Sequence, residues 1–318
     1  MTGGKGMLRL YEAETITAGD FYMNPFGTFF ATKSQQANVL AKDYTINAGF
    51  TLGISQIFES FIHLTPYQTD QERLWGAPGD SKMGLKVNIP KKGVSQFGLL
   101  SYVEFPTARK HPISYEPFSE DAVGYAIVGI TSLNFRNAVS PLPLKVTFNI
   151  GYKSHNSSKK IFAGDVDQVM AGFGLKVPLK SSQLYTEVSG EIFYNNPDVQ
   201  LGQNSLRWSG GYKFLAARGI IFDVAADIEL GGYKPSNAEK QAIPRFYEDY
   251  ADWKLILGMT YRWTLFKNWD KKTREIKEEQ EKQEQETQEL REQRENVIEE
   301  LEEYLKKLEE EKKKTVPF

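Results

Sequence analysis

Apolar and polar residues alternate through most of the first 266 positions of this chain. Between Asp252 and Phe266, one set of alternate positions holds Trp253, Leu255, Leu257, Met259, Tyr261, Trp263 and Leu265. The other set holds Asp252, Lys254, Ile256, Gly258, Thr260, Arg262 and Thr264. In 144–153 the residues Leu144, Val146, Phe148, Ile150 and Tyr152 oppose Lys145, Thr147, Asn149, Gly151 and Lys153, and in 83–89 Met83, Leu85, Val87 and Ile89 oppose Gly84, Lys86 and Asn88. A period of two belongs to a β-strand, whose residues i, i+2 and i+4 share a face. Twelve segments follow it: 20–33, 44–53, 56–67, 80–90, 96–107, 121–136, 143–155, 166–179, 183–195, 203–215, 220–232 and 252–265, the first and third least regularly. The links alternate too. Short ones fall at 54–55, 90–93, 137–143, 180–182 and 216–219, and longer ones at 34–43, 68–79, 108–120, 156–165, 196–202 and 233–251. An antiparallel up-and-down meander, with turns at one end and loops at the other, has this rhythm.

Alternation alone does not say which face is inside. A soluble sandwich or a lipocalin-like barrel turns its apolar face inward and remains open as an alternative. Three features favour an apolar exterior. Segments of about 10–14 residues suit a tilted membrane crossing, whereas soluble strands run about 5–6. Charges sit mid-segment at Asp227, Glu187, Lys145 and Lys254, and aromatics sit toward segment ends at Trp253, Trp263, Tyr152, Tyr194 and Phe214, like interfacial girdles.

The stretch "GMTYRWTLF", with Gly258, Tyr261 and Trp263 in the spacing of a terminal insertion signal, belongs to this pattern, as do "AETITAGDFYMNPFGTFF" and "INAGFTLGISQIFESFIHLTP". On these residues the chain resembles Gram-negative outer-membrane β-barrels of the porin-like, transporter type. The resemblance spans about residues 10 to 266, as pattern rather than identity. It implies an all-β, antiparallel transmembrane β-barrel of about twelve strands over 20–266, preceded by a short periplasmic segment, 1–19. Both ends of the barrel then lie on the periplasmic side, and Trp253, Leu255, Leu257, Gly258, Tyr261 and Trp263 form a lipid-facing insertion signal. Outer-membrane lipid is the implied partner. One departure stands out: the insertion signal normally closes such a chain, and here the chain continues.

After Phe266 the composition changes. Residues 267–318 hold 13 Lys and Arg against 17 Asp and Glu, with no helix breaker before Pro317. This predicts a long charged C-terminal α-helix in the periplasm. A heptad frame places Ile276, Gln283, Leu290, Val297 and Tyr304 at d and Gln280, Thr287, Arg294, Leu301 and Leu308 at a. Its apolar seam of Leu290, Val297, Leu301, Tyr304 and Leu308 suits a coiled coil, joining a homo-oligomer or binding a periplasmic protein. A solvated single helix or a partly disordered tail is the alternative.

Composition narrows the function. The 318 residues carry a net charge of −2, three histidines and no cysteine, so disulfides and thiolate metal sites are excluded. No clustered basic-aromatic patch invites a nucleic acid, and no run of about 18 apolar residues makes a membrane-spanning helix. The opening "MTGGKGMLRL" lacks the apolar region of a secretory signal, so an exported protein implies a processed form, a trimmed form or a misplaced start. The polar rows assign Lys82, Lys86, Glu104, Lys145, Lys153, Lys176, Glu187, Glu191, Arg207, Lys213, Asp223, Asp227, Glu229, Lys254 and Arg262 to the lumen. Strand order sets Glu187 and Glu191 beside Arg207 and Lys213, and Asp223 and Asp227 beside Lys254 and Arg262. These charges either select solutes as rings in a pore or pair across strands and fill a narrow barrel, since twelve strands lie between a filled eight-stranded barrel and the wide porins. Cations outnumber anions, which predicts a modest anion preference.

Catalysis finds little footing. His63, His111 and His155 are scattered, and Ser154, His155 and Asn156 are adjacent, so neighbours point to opposite faces and make no triad alone. The "GGYK" runs at 210–213 and 231–234 lack phosphate-loop spacing. No enzyme activity, cofactor or metal is expected. The expectation is an outer-membrane channel for passive passage of small solutes. The alternative is an envelope anchor whose tail is the working part.

Overall fold

A computed structural model of the chain describes residues 5–34, 39–68, 78–89, 93–108, 122–156, 164, 166–196, 204–216, 219–231 and 251–266. The chain divides into two units, Met1–Leu265 and Phe266–Phe318. The predicted helix over 267–318, with its seam, lies outside the described residues, as does His111.

Twelve strands form the first unit: β1 (Asp20–Ser34), β2 (Val39–Gly53), β3 (Phe58–Gln68), β4 (Ser81–Ile89), β5 (Ser95–Phe105), β6 (Gly124–Asn134), β7 (Lys145–Ser154), β8 (Gln168–Pro178), β9 (Ser182–Phe193), β10 (Ser205–Leu215), β11 (Ile220–Glu229) and β12 (Trp253–Thr264). Each pairs antiparallel with its sequence neighbours, and β12 returns to β1 to close the barrel. Closure leaves no strand edge unpaired. Strand β2 begins earlier than the hydrophobic pattern suggests, because backbone pairing with Ala31–Ser34 of β1 continues where the alternation has lapsed. Gly93 and Gly219 turn the β4–β5 and β10–β11 links with φ of 105° and 77°, a region that favours glycine.

The registers also set the width. Once round the sheet, they return to β1 about 14 residues displaced. With about 3.3 Å per residue and about 4.8 Å between strands, that stagger tilts the strands by about 40° and gives a backbone radius of about 12 Å. Inward side chains reach roughly 5 Å from each wall, which leaves a bore about as wide as one peptide with its own side chains.

Burial is inverted relative to a soluble barrel. Outward positions such as Ile62, Met83, Leu85, Leu99, Ile150, Val224, Leu255 and Leu257 stand exposed. Inward Glu59, Lys86, Lys153, Gln168, Glu187 and Arg207 are each no more than 2% exposed. Outward aromatics meet at both ends of the strands. Trp263 lies 5.8 Å from Phe21 and 4.2 Å from Tyr261 at the short-link end, and at the other end Phe29 lies 5.6 Å from Trp253 and Tyr44 lies 5.4 Å from Tyr67.

Candidate functional site

The segment expected to lie outside the barrel is inside it. Residues 5–19 lead from the base of β1 into the lumen, where Met7, Leu10, Ala13, Ile16 and Ala18 are buried. Ala13 packs with Phe61, Leu100, Tyr102, Ala126, Val128 and Ile130, and Met7 with Tyr185, Ala225 and Ile256. The lumen walls also supply glycines. A Cβ at Gly53 would stand 2.2 Å from the Thr17 carbonyl oxygen, and one at Gly172 would stand 2.2 Å from Leu10 Cδ2. Gly19, with φ of 82°, makes the turn from the segment into β1.

A segment outside the sheet must find partners for its backbone in the lumen wall, because buried N–H and C=O groups are almost always paired. Glu187 accepts from the N–H groups of Arg9 and Leu10 at 2.7 and 3.3 Å. Asn149 accepts from Tyr11 N at 2.8 Å and donates to Tyr11 O at 2.9 Å, imitating a neighbouring strand. Ser132 Oγ accepts from Ala13 N at 3.0 Å, and Glu59 Oε2 from Ile16 N at 2.8 Å. Lys86 donates to the carbonyls of Glu12 and Glu14 at 3.0 and 2.8 Å while its Nζ stays 2.8 Å from Glu59 Oε1. The lumen charges are thus the hydrogen-bonding surface for a strip of chain.

The segment's own charges complete the fit. Glu12 pairs with Lys176 and, at 2.9 Å, with Lys145, which also meets Glu14 at 2.9 Å. Arg9 reaches Asp227 at 2.9 Å, beside Arg207 Nε at 2.8 Å. Burial pushes the Glu12 carboxyl up, but the Lys176 and Lys145 ammonium groups more than offset it and hold the group well below the ordinary carboxylate range. Glu14 follows the same logic with burial opposed by Lys145 and Lys5, and its shift is also downward.

The sequence-assigned lumen residues fall as follows. Lys82 and Lys153 share Glu104 at 3.2 and 3.0 Å. Lys213 meets Asp223 at 3.4 Å and donates to the Gly6 carbonyl at 2.7 Å. Lys254 is buried opposite Asp227 in the register, Glu229 stands opposite Arg207, and Glu191 is partly buried opposite Ser205. Some expected groupings change. Arg207 pairs with Asp227, and Glu187 is given to the segment's backbone. Arg262 bonds Asp20 at 2.6 Å with its side chain 46% exposed. On β12, Trp253, Leu255, Leu257 and Trp263 stand exposed and Tyr261 shares their row, whereas Gly258, placed with them from the sequence, belongs to the inward row opposite Phe26 and Asp223.

Sequence reasoning passed over Glu59, Asn149, Ser132 and the whole 5–19 segment. One signal was available. The assigned lumen set was rich in cations, and "LYEAETITAG" offers two carboxylates among small and apolar residues.

Cavities remain on either side of the segment. One, of about 310 Å³, has Glu12, Glu14, Lys145, Lys176 and Lys213 in its wall. The other, of about 250 Å³, has Arg9, His63, Lys82 and Lys254 in its wall. His155 lies elsewhere, its Nε2 2.7 Å from Gln168 Oε1.

An apolar-skinned, twelve-stranded antiparallel barrel with a charged interior and a peptide across its bore is the class of structure these observations define. Three solved structures are among those similar to this chain. The NanC porin is 8% identical, with 75% of this chain and 98% of that one covered and a TM-score of 0.49. LpxR from Salmonella typhimurium is 11% identical over 76% of this chain and 99% of that one, with a TM-score of 0.39. The translocator domain of the autotransporter NalP from Neisseria meningitidis is 12% identical over 77% and 89%, with a TM-score of 0.35. No protein-family model matches the chain, and no curated protein matches it.

Proposed function

We propose that this chain is an outer-membrane β-barrel that works as a porin-like channel for small solutes, held shut by residues 5–19. The observation that carries the reading is the segment itself, lodged in a bore of peptide width by separable polar contacts. A lumen that only needed filling is served by a narrower barrel closed by its own side chains. The outer skin supports the membrane setting, because contiguous exposed apolar surface of this extent on every strand suits lipid rather than water. Passage then requires the segment to leave or shift, and the cations it neutralises line the path once it does.

The test is single-channel conductance in a planar bilayer for the full chain and for a variant lacking residues 1–14. Closed full-length protein with ohmic steps in the variant is the expected result. Silence in both would sink the channel reading and favour the second one, an envelope anchor, which the ion-paired lumen and the apolar seam at Leu290, Val297, Leu301, Tyr304 and Leu308 support. In that case, polar substitution of Leu301 and Leu308 is expected to reduce the mass of the protein in detergent.

A further inference from the structure

We infer that the cavity between the segment and the long-link end is a binding site for a small, neutral, hydroxyl-rich solute of about the size of one sugar ring. Its volume of about 250 Å³ is the room of about eight waters, enough for a single ring. The inference takes the proposed channel one step further, to the solute that occupies it.

His63 is the observation that points to a ligand. It lines the cavity, is 8% exposed, and neither ring nitrogen has a hydrogen-bond partner among the described residues. Buried polar groups are hydrogen-bonded as a rule. A neutral imidazole offers one donor and one acceptor, and adjacent hydroxyls on a ligand answer both at once. Phe26 fixes the ring by stacking, with centroids 5.7 Å apart and planes at 27°. Nearby, Thr65 Oγ1 donates to Asn47 Oδ1 at 2.9 Å and Asn47 Nδ2 donates to Thr45 Oγ1 at 3.0 Å, a row of groups that both donate and accept. Phe30 and Tyr102 also border the cavity, with Lys254 Nζ 5.9 Å from the Phe30 ring centre and Lys82 Nζ 5.4 Å from that of Tyr102, so the rings help to hold the wall's own cations.

Charge sets the class. The wall holds three cations, Arg9, Lys82 and Lys254, and three anions, Asp80, Glu191 and Asp227. Arg9 already meets Asp227 at 2.9 Å, and Lys82 meets Glu104 at 3.2 Å. A ligand carboxylate here would be buried in a wall already balanced, and burying a charge without a counter-charge is costly. Hydroxyls need no such partner. Arg9 and Tyr11 belong to the segment, so a solute in this cavity touches the element that closes the bore.

The experiment is equilibrium calorimetry on the full chain in detergent with D-glucose and with D-glucuronate, the same ring bearing a carboxylate. Saturable glucose binding in the millimolar range is expected, with glucuronate weaker by about tenfold. H63F is expected to weaken glucose by about tenfold, and H63Q, which keeps a donor and an acceptor, to recover part of the loss. Should H63F fail to fold, T65V supplies the test, with an expected loss of about fivefold. No saturable glucose heat up to about 100 mM, tighter glucuronate binding, or a folded H63F or T65V that binds glucose like the parent would each overturn the inference. Binding is read with residues 5–19 in place. Glucose binding by a barrel that never conducts therefore refutes the channel and keeps the site, and conduction without binding does the reverse.

Discussion

Glu12→Gln should loosen the hold of the lumen on residues 5–19. Glu12 is 2% exposed and pairs with Lys145 and Lys176. Removing one partner of a buried pair costs about 3–5 kcal/mol, because the other charge is left buried. Here the loss is softened. Lys145 keeps Glu14 at 2.9 Å, and Lys176 keeps the Gly6 carbonyl at 3.4 Å, which leaves about 2–3 kcal/mol. At about 1.4 kcal/mol per decade, the released form becomes roughly 30- to 150-fold more populated. The chain has no cysteine, so Met7→Cys places a single thiol where the side chain is 0% exposed. Its maleimide labelling rate then reports release of the segment. Glu12→Gln in that background is expected to label about a hundredfold faster. Lys5→Ala is expected to change little, because the Lys5–Glu14 pair is solvent-exposed on the lysine side, at 39%. A rate within about threefold of the parent for Glu12→Gln would refute the view that buried ion pairs hold the segment.

Three further outcomes follow from the same geometry. Gly53→Ala, whose Cβ would meet the Thr17 carbonyl oxygen at 2.2 Å, is expected to displace the end of the segment that joins β1 and raise Met7→Cys labelling. Gly172→Ala makes its closest contact with the movable end of Leu10 and meets the Val188 carbonyl oxygen only at 3.2 Å, so it is expected to act more weakly; the reverse order would contradict the packing described. Leu257→Arg, at an outward position 55% exposed, is expected to destabilise the barrel in lipid vesicles by about 2–4 kcal/mol, and an unchanged urea midpoint would place that face in water. The acid response has a definite sign. Glu12 and Glu14 are held below their ordinary value of 4.5 in the folded chain, so their contribution is fully present above that pH and lost as pH falls below it. Labelling, taken relative to a free thiol at the same pH because the thiolate is the reactive form, is therefore expected to stay flat from pH 8 to about 5 and rise in stronger acid, Glu14 giving way before the more strongly held Glu12. A rise already between pH 7 and 5 would contradict the assignment.

Much of the barrel was legible in the chain because a strand has a period of two and each strand here separates two unlike environments. Trp253, Leu255 and Leu257 on one row of β12 and Lys254 and Ile256 on the other needed no partner to be read as opposite faces, and alternating link lengths implied the up-and-down order. Strand ends were less legible. Val39 to Asp43 carries no apolar alternation, and only the β1 backbone opposite makes that stretch a strand. The occupant of the lumen left only a faint trace, the excess of lumen cations and the two carboxylates near the start of the chain. Residues 5–19 have no sheet periodicity of their own. Their fit depends on Glu59, Lys86, Ser132, Asn149 and Glu187, which five different strands bring to one cross-section. Local sequence therefore determined which face of each strand is apolar, because that choice is made residue by residue along one strand. Closure alone decided what the charged faces enclose, because the bore's width and its meeting of distant charges come from the summed stagger of all twelve strands.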